Sequence, residues 1–334
     1  MKQIVIIITV LILFSCSAFK SSNPRIKNSD KIGDTTIQDT FDFERDRENF
    51  QMEIYTRLDG LLSDDIRDIK LDENKVWLLC TNGIIVFNKD TGRIVNYAYS
   101  NKAPGFNSFL HDGEYVYLSA ERGIYGFNKI DKKYHTIVYD VTIVPSLVEY
   151  GRIFLGADRR GNIYLFKEKN LFNVTNVGHP LDLVRGFDDD IYFADQNAVY
   201  KMTGDLKLEK ILAHGPNHIT DFLIKDEIFF VANHSLIQYL PGDRKAVNIV
   251  AFHEKIFITF LFYSEEKEGL YIGTTQGMGY YDMIEKEYIP LLTQHKVKEA
   301  FINCLKEEDN ILWIGTKTSG FVKYTALPSK IVYK

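Results

Sequence analysis

Gly269-Leu270-Tyr271-Ile272-Gly273-Thr274-Thr275-Gln276-Gly277 and, 42 residues on, Ile311-Leu312-Trp313-Ile314-Gly315-Thr316 share one pattern. An aromatic sits among apolar residues, glycine follows two positions later, and a polar turn comes next. Working outward, the aromatic recurs as Trp77, Tyr117, Phe154, Tyr192, Phe229, Tyr271 and Trp313, at spacings of 40, 37, 38, 37, 42 and 42. The residue two places on is small in most units: Ser119, Gly156, Ala194, Gly273 and Gly315. Turn glycines follow at Gly83, Gly123, Gly161, Gly277 and Gly320, and a second aromatic at Phe87, Phe127, Tyr239 and Tyr281. An acidic turn precedes each marker, and before it lies a short apolar run such as Ile66-Arg67-Asp68-Ile69 or Ile302-Asn303-Cys304-Leu305.

Each unit reads as four short antiparallel strands. Alternation gives such a sheet two apolar faces, which one unit cannot bury alone. Radial packing buries both, and a period near 40 with four strands is that of a propeller blade. The sequence therefore predicts an all-β chain: a seven-bladed β-propeller of four-stranded antiparallel blades over 42–334. Too little chain follows Tyr324 for another strand, whereas Gln51-Met52-Glu53-Ile54-Tyr55-Thr56 alternates like one. That N-terminal strand is expected to close the last blade.

Composition agrees. Hydrophobic residues make up 45% and charged residues 25%, enough for a core and unlike a disordered chain. Aromatics reach 13%, with 20 Tyr and 23 Phe, which favours strands. A net charge of −5 argues against nucleic-acid binding. Three cysteines exclude a disulfide-built mini-fold.

The N-terminus carries an address. Lys2 precedes an apolar run from Ile4 to Phe14, broken only by Thr9. As a helix it reaches roughly 16 Å, against a bilayer core of about 30 Å. Leu13-Phe14-Ser15-Cys16 resembles a bacterial lipoprotein signal, which implies cleavage before Cys16 and lipidation of its thiol. Residues 1–15 are thus expected to be a lipoprotein signal peptide and 16–41 a flexible, polar tether. The alternative is a plain secretory signal with a chance cysteine.

Asp59-Gly60-Leu61-Leu62-Ser63, followed by Ile66, Ile69, Asp72 and Trp77, resembles the two-component-regulator propeller repeat. So do the two stretches quoted first. In that family such propellers form the periplasmic sensor part of membrane histidine kinases, which often respond to polysaccharides. This chain has repeats for one propeller and no kinase, following sandwich domain or membrane-spanning run, so the resemblance speaks to fold and compartment.

No nucleophile elbow, P-loop, zinc-protease or dinucleotide motif occurs. His214 and His218 flank Gly215-Pro216 and read as a loop, so no metal or other cofactor is expected. The runs Asp188–Asp190, Glu265–Glu266 and Glu307–Asp309 fall in turns that suit acidic residues. Cys80 and Cys304 lie in neighbouring units of a closed ring and read as separate buried thiols or a disulfide.

Strand direction sorts the charges. Turns between first and second strands are acidic. The opposite face collects Lys102, Arg122, Arg159, Arg160 and Lys317 with His179, His214, His218, His234 and His295. Polar residues on the first strands, Arg67, Asn107, Arg185, Asp221 and Asn303, are expected to line the channel. The candidate ligand-binding set is Arg67, Asn107, Arg122, Arg159, Arg160, His179, Arg185, His218, His234 and Asn303, with no catalytic residue. The expected function is non-enzymatic binding of an envelope protein or a glycan by a monomer held to the membrane through its lipid. The rivals are a scaffold subunit of an envelope assembly, like the propeller lipoprotein of the outer-membrane barrel-insertion machine, and a hydrolase or lyase acting on sugars or esters.

Overall fold

The computed structural model describes residues 50–99, 104–139, 143–150, 153–167, 170–187, 190–213, 218–226, 228–240, 246–292 and 300–326. Cys16, the signal segment and the tether lie outside them. Seven four-stranded antiparallel sheets form a ring, a seven-bladed β-propeller. The innermost strands, one per blade, are Ile66–Asp72, Phe106–Asp112, Ile143–Tyr150, Leu183–Phe187, Asp221–Lys225, Ile258–Ser264 and Ile302–Glu308. Every marker aromatic falls on the second strand of its blade.

Period-two alternation builds the core. In Lys75–Cys80 the side chains of Val76, Leu78 and Cys80 enter the junction with blade 7, while Trp77 and Leu79 enter the junction with blade 2. The same division holds round the ring, giving one apolar cluster for each of the seven junctions. The small residue after the marker seats the next blade. A Cβ on Gly315 would come within 2.8 Å of Ile66 Cγ2, and one on Gly273 within 2.9 Å of Ile302 Cγ2.

The last blade is a composite. Its outer strand is Phe50–Tyr55, paired antiparallel with Phe321–Ala326 in the register Met52↔Tyr324 and Ile54↔Val322. Met52 and Ile54 pack on the junction between blades 6 and 7, while Tyr55 joins the junction between blades 7 and 1. Its ring lies 4.9 Å from Phe87 and 6.0 Å from Phe321, and the latter stacks on Trp313. Glu53 bonds Lys323 at 2.8 Å, which holds its carboxyl below the usual range. Gly320 turns beside this strand with φ 78, and a Cβ there would meet Tyr55 O at 2.1 Å. Thr56 leaves the strand and caps a 3-10 turn over Arg57–Asp59, ending in left-handed Gly60. That turn accounts for the Asp59-Gly60-Leu61 motif.

Deleting residues 51–56 is expected to lower the melting temperature and cause aggregation, because blade 7 loses a strand and exposes an edge. Removing residues 17–39 is expected to change neither. Ile54→Ala alone should cost about 1–2 kcal/mol in a denaturant titration, as expected for a half-buried aliphatic side chain.

Candidate functional site

The polar residues of the inner strands have a structural task. Asp68 accepts from Ile69 N at 2.8 Å and, across the junction, from Phe109 N at 3.0 Å. Ser108 Oγ accepts from Leu147 N at 2.9 Å. Arg185 donates to Asp221 at 2.8 Å. Asp221 in turn accepts from Phe222 N and from Leu261 N, each at 2.9 Å. Thr259 Oγ1 donates to Ile302 O at 2.5 Å, and Asn303 Nδ2 to Ile66 O at 2.8 Å. Apart from the bonds of Asp68 and Asp221 to the next residue's own N–H, each runs from one blade to the next, so side chains stitch six junctions where no ladder bond can reach.

This places the expected channel residues. Asp221 is 1% exposed and does not line the channel; its carboxylate is consumed by the stitch. Arg185 and Asn303 belong to the same network. Arg67 folds onto its neighbour Asp65 at 2.8 Å. Asn107 is half-buried on the inner strand of blade 2.

Most of the expected face residues that are described lie on turns and connections of blades 2 to 5; Lys317 lies on the corresponding turn of blade 7, over the Phe301 ring. Arg122 and Arg160 are exposed on the turns between second and third strands of blades 2 and 3. Arg159 reaches Asp182 at 3.7 Å. His179 lies over the ring of Tyr200, 4.7 Å away, with Asp195 at 3.9 Å. His218 is exposed on the connection from blade 4 to blade 5. His234 bonds Ile256 O at 3.1 Å, and its ring lies tilted against that of Phe257, 3.9 Å away. The structure does not gather these residues into one cluster; they are spread over turns and connections of several blades. Lys102, His214 and His295 lie outside the described residues.

The opposite face is mixed in charge. Its acidic turns sit beside the turns between third and fourth strands, as the bond from Lys89 N to Asn74 O shows. Those turns bring Lys89, Arg93, Lys129, Lys132, Lys133, Lys207 and Lys286. Lys89 bonds Glu308 at 2.5 Å across the junction of blades 7 and 1, and Lys225 reaches Glu265 at 2.8 Å. Glu307, 8% exposed at its side chain, accepts from Ser264 and Tyr271. Among the described residues no three His, Cys, Asp or Glu side chains gather as a metal-holding group, and no helix is long and apolar enough to cross a membrane.

Cys80 and Cys304 are free and buried in the same junction. Burial pushes the Cys80 thiol up to about 11 and the Cys304 thiol well above its ordinary value, so neither is a ready nucleophile. Cys80 Sγ donates to Gly83 O at 3.2 Å, as the hydroxyls of Thr274 and Thr316 donate to Gly277 O and Gly320 O. The cysteine substitutes for a turn-capping threonine.

Sequence reasoning passed over Lys70 and Lys306. Both are half-buried on inner strands, directly opposite the markers Trp77 and Trp313. Arg185 holds the same place opposite Tyr192. The signal was the marker itself, since its cross-strand partner is fixed once the register is known.

No family model and no curated protein matches the chain. Among solved structures it is similar to the extracellular domain of a one-component system from B. thetaiotaomicron, with a TM-score of 0.68 at 15% identity over 83% of this chain. The chain spans 40% of the length of that extracellular-domain chain. It is also similar to virginiamycin B lyase from Staphylococcus aureus, with a TM-score of 0.68 at 12% identity over 83% of this chain and 100% of that one. For the WD40 propeller domain of Doa1 the values are 0.62 and 12%, over 79% and 93%. At these identities the likeness is one of fold.

Two measurements check this description. Asp221→Ala strands Arg185 and two backbone amides, and should cost about 3 kcal/mol in a denaturant titration. His111 is held down at about 4 by burial, then by the charges of Lys129 and Lys70. The unfolded chain takes up this proton near pH 6.5, whereas the folded protein resists it. Stability should therefore be full above about pH 6.5 and decline toward pH 4, and His111→Phe should flatten that decline in urea midpoints measured across the range.

Proposed function

We propose that this chain is a lipid-anchored propeller of the bacterial cell envelope that binds a ligand or protein partner without turning it over. The carrying observation is the contrast between a stitched interior and the face of the turns between second and third strands. Arg122, Arg160 and His218 are exposed there, with no ion-pair partner among the described residues. Guanidinium and imidazole groups suit carboxylate, phosphate or polar glycan groups. A ring braced at its junctions keeps such donors in place, which lowers the ordering cost of binding. Anchoring rests on the Leu13-Phe14-Ser15-Cys16 signal, and an envelope setting fits the sensor-type repeats.

Cys16→Ala is expected to release the protein from membranes in a fractionation, because buried acyl CH₂ groups contribute about 0.8 kcal/mol each. If the variant stays as firmly membrane-bound as the parent, the anchor is wrong. Partners captured from detergent-solubilised membranes, or glycans from a binding screen, should be lost on combining Arg122→Ala with Arg159→Ala. They should be kept on combining Glu73→Ala with Glu114→Ala on the other face. Loss only in the second pair would overturn the choice of face.

A further inference from the structure

The inner strands of blades 7 and 1 are neighbours, and each places a lysine at the same level of the ring. Lys306 and Lys70 stand opposite equivalent tryptophans, and Arg185 occupies the same level on blade 4. Lys306 experiences both Lys70 and Arg185 as like charges and Asp68 as an opposite one. The nearby carboxylates are already engaged. Asp68 accepts two backbone amides, and Asp221 accepts two amides besides Arg185. Neither Lys70 nor Lys306 has a salt-bridge partner among the described residues. Lys306 Nζ rests instead 5.6 Å from the centre of the Phe262 ring, on the inner strand of blade 6. Glu149, at this level on blade 3, is exposed.

Adjacent ammonium groups on a half-buried wall repel one another, and partial desolvation raises the cost. Here burial, then Lys70, lowers the Lys306 ammonium below the ordinary lysine range. An anion between the lysines removes that repulsion. We propose that Lys70, Lys306 and Arg185 form an anion-binding site inside the channel, which takes a carboxylate or phosphate group of a ligand whose apolar or ring portion rests against Phe262. The site lies within the ring rather than on the turn face, so it stands whether or not Arg122 and Arg159 bind a partner.

The test uses the mature protein with two probes, D-galacturonate for the carboxylate source and inorganic phosphate for the phosphate source, with sodium chloride at matched ionic strength as reference. At least one probe should raise the melting temperature saturably beyond the salt reference. The double variant with Lys70→Met and Lys306→Met should lose at least tenfold in affinity for it, while Lys286→Met, at an exposed turn, keeps parental affinity. The same probe should protect Lys70 and Lys306, but not the exposed Lys207, from amine acylation read by mass spectrometry. This second readout needs no variant to fold. If neither probe shifts the parent saturably, or the shift survives the double substitution, or acylation of the two lysines is unchanged by the probe, the channel site is refuted.

Discussion

A blade with two apolar faces cannot exist alone, and this constraint governs the molecule. Trp77 and Leu78 are sequence neighbours, yet they serve opposite junctions. Each sheet is therefore half of two cores, and each core needs two sheets. A row of such sheets leaves two bare faces at its ends, and only a closed ring leaves none. Closure brings four aromatics together at the junction of blades 7 and 1, where Tyr55, Phe87, Trp313 and Phe321 meet. The strand carrying Tyr55 comes from the other end of the sequence from Phe321, so the ends of the propeller chain are sealed in one sheet.

Apolar packing sets spacing but not orientation. The polar stitches supply direction: Asp68 must meet Phe109 N, and Asp221 must meet Leu261 N, for each inner strand to lie at its angle. Buried carboxylates in such positions are costly unless satisfied, which penalises alternative packings. The consequence for function is a division of labour. Much of the polar character of the inner strands braces the ring, Arg185 included through Asp221, which leaves the turn face and the lysines Lys70 and Lys306 without such a task.

The sequence carried the fold because its signals were local or periodic. The marker aromatics, Gly273, Gly315 and the alternation of Gln51–Thr56 can be read without knowing any distant contact, and each has the role expected of it. Blade interiors were harder to read. Asp221 and Asn303 look like channel-lining polar groups in a list of residues, because their partners lie about forty residues on in sequence, or across the closure, and only register reveals them. Lys306 was hidden for the related reason that its neighbours Lys70 and Arg185 come from blades 1 and 4. The reading of Cys80 as a separate buried thiol holds, but its place as a turn-capping residue like Thr274 shows only in the structure.

The central claim is that the ring has no ends. Hydrogen–deuterium exchange resolved to individual strands tests it most directly, because an open array frays from its termini while a closed ring opens as a unit. The account expects Ile66–Asp72 and Ile302–Glu308, the inner strands on either side of the closure, to be as protected as Leu183–Phe187 and Asp221–Lys225 on the far side. Exchange that quickens progressively from blade 4 toward blades 1 and 7 would contradict it.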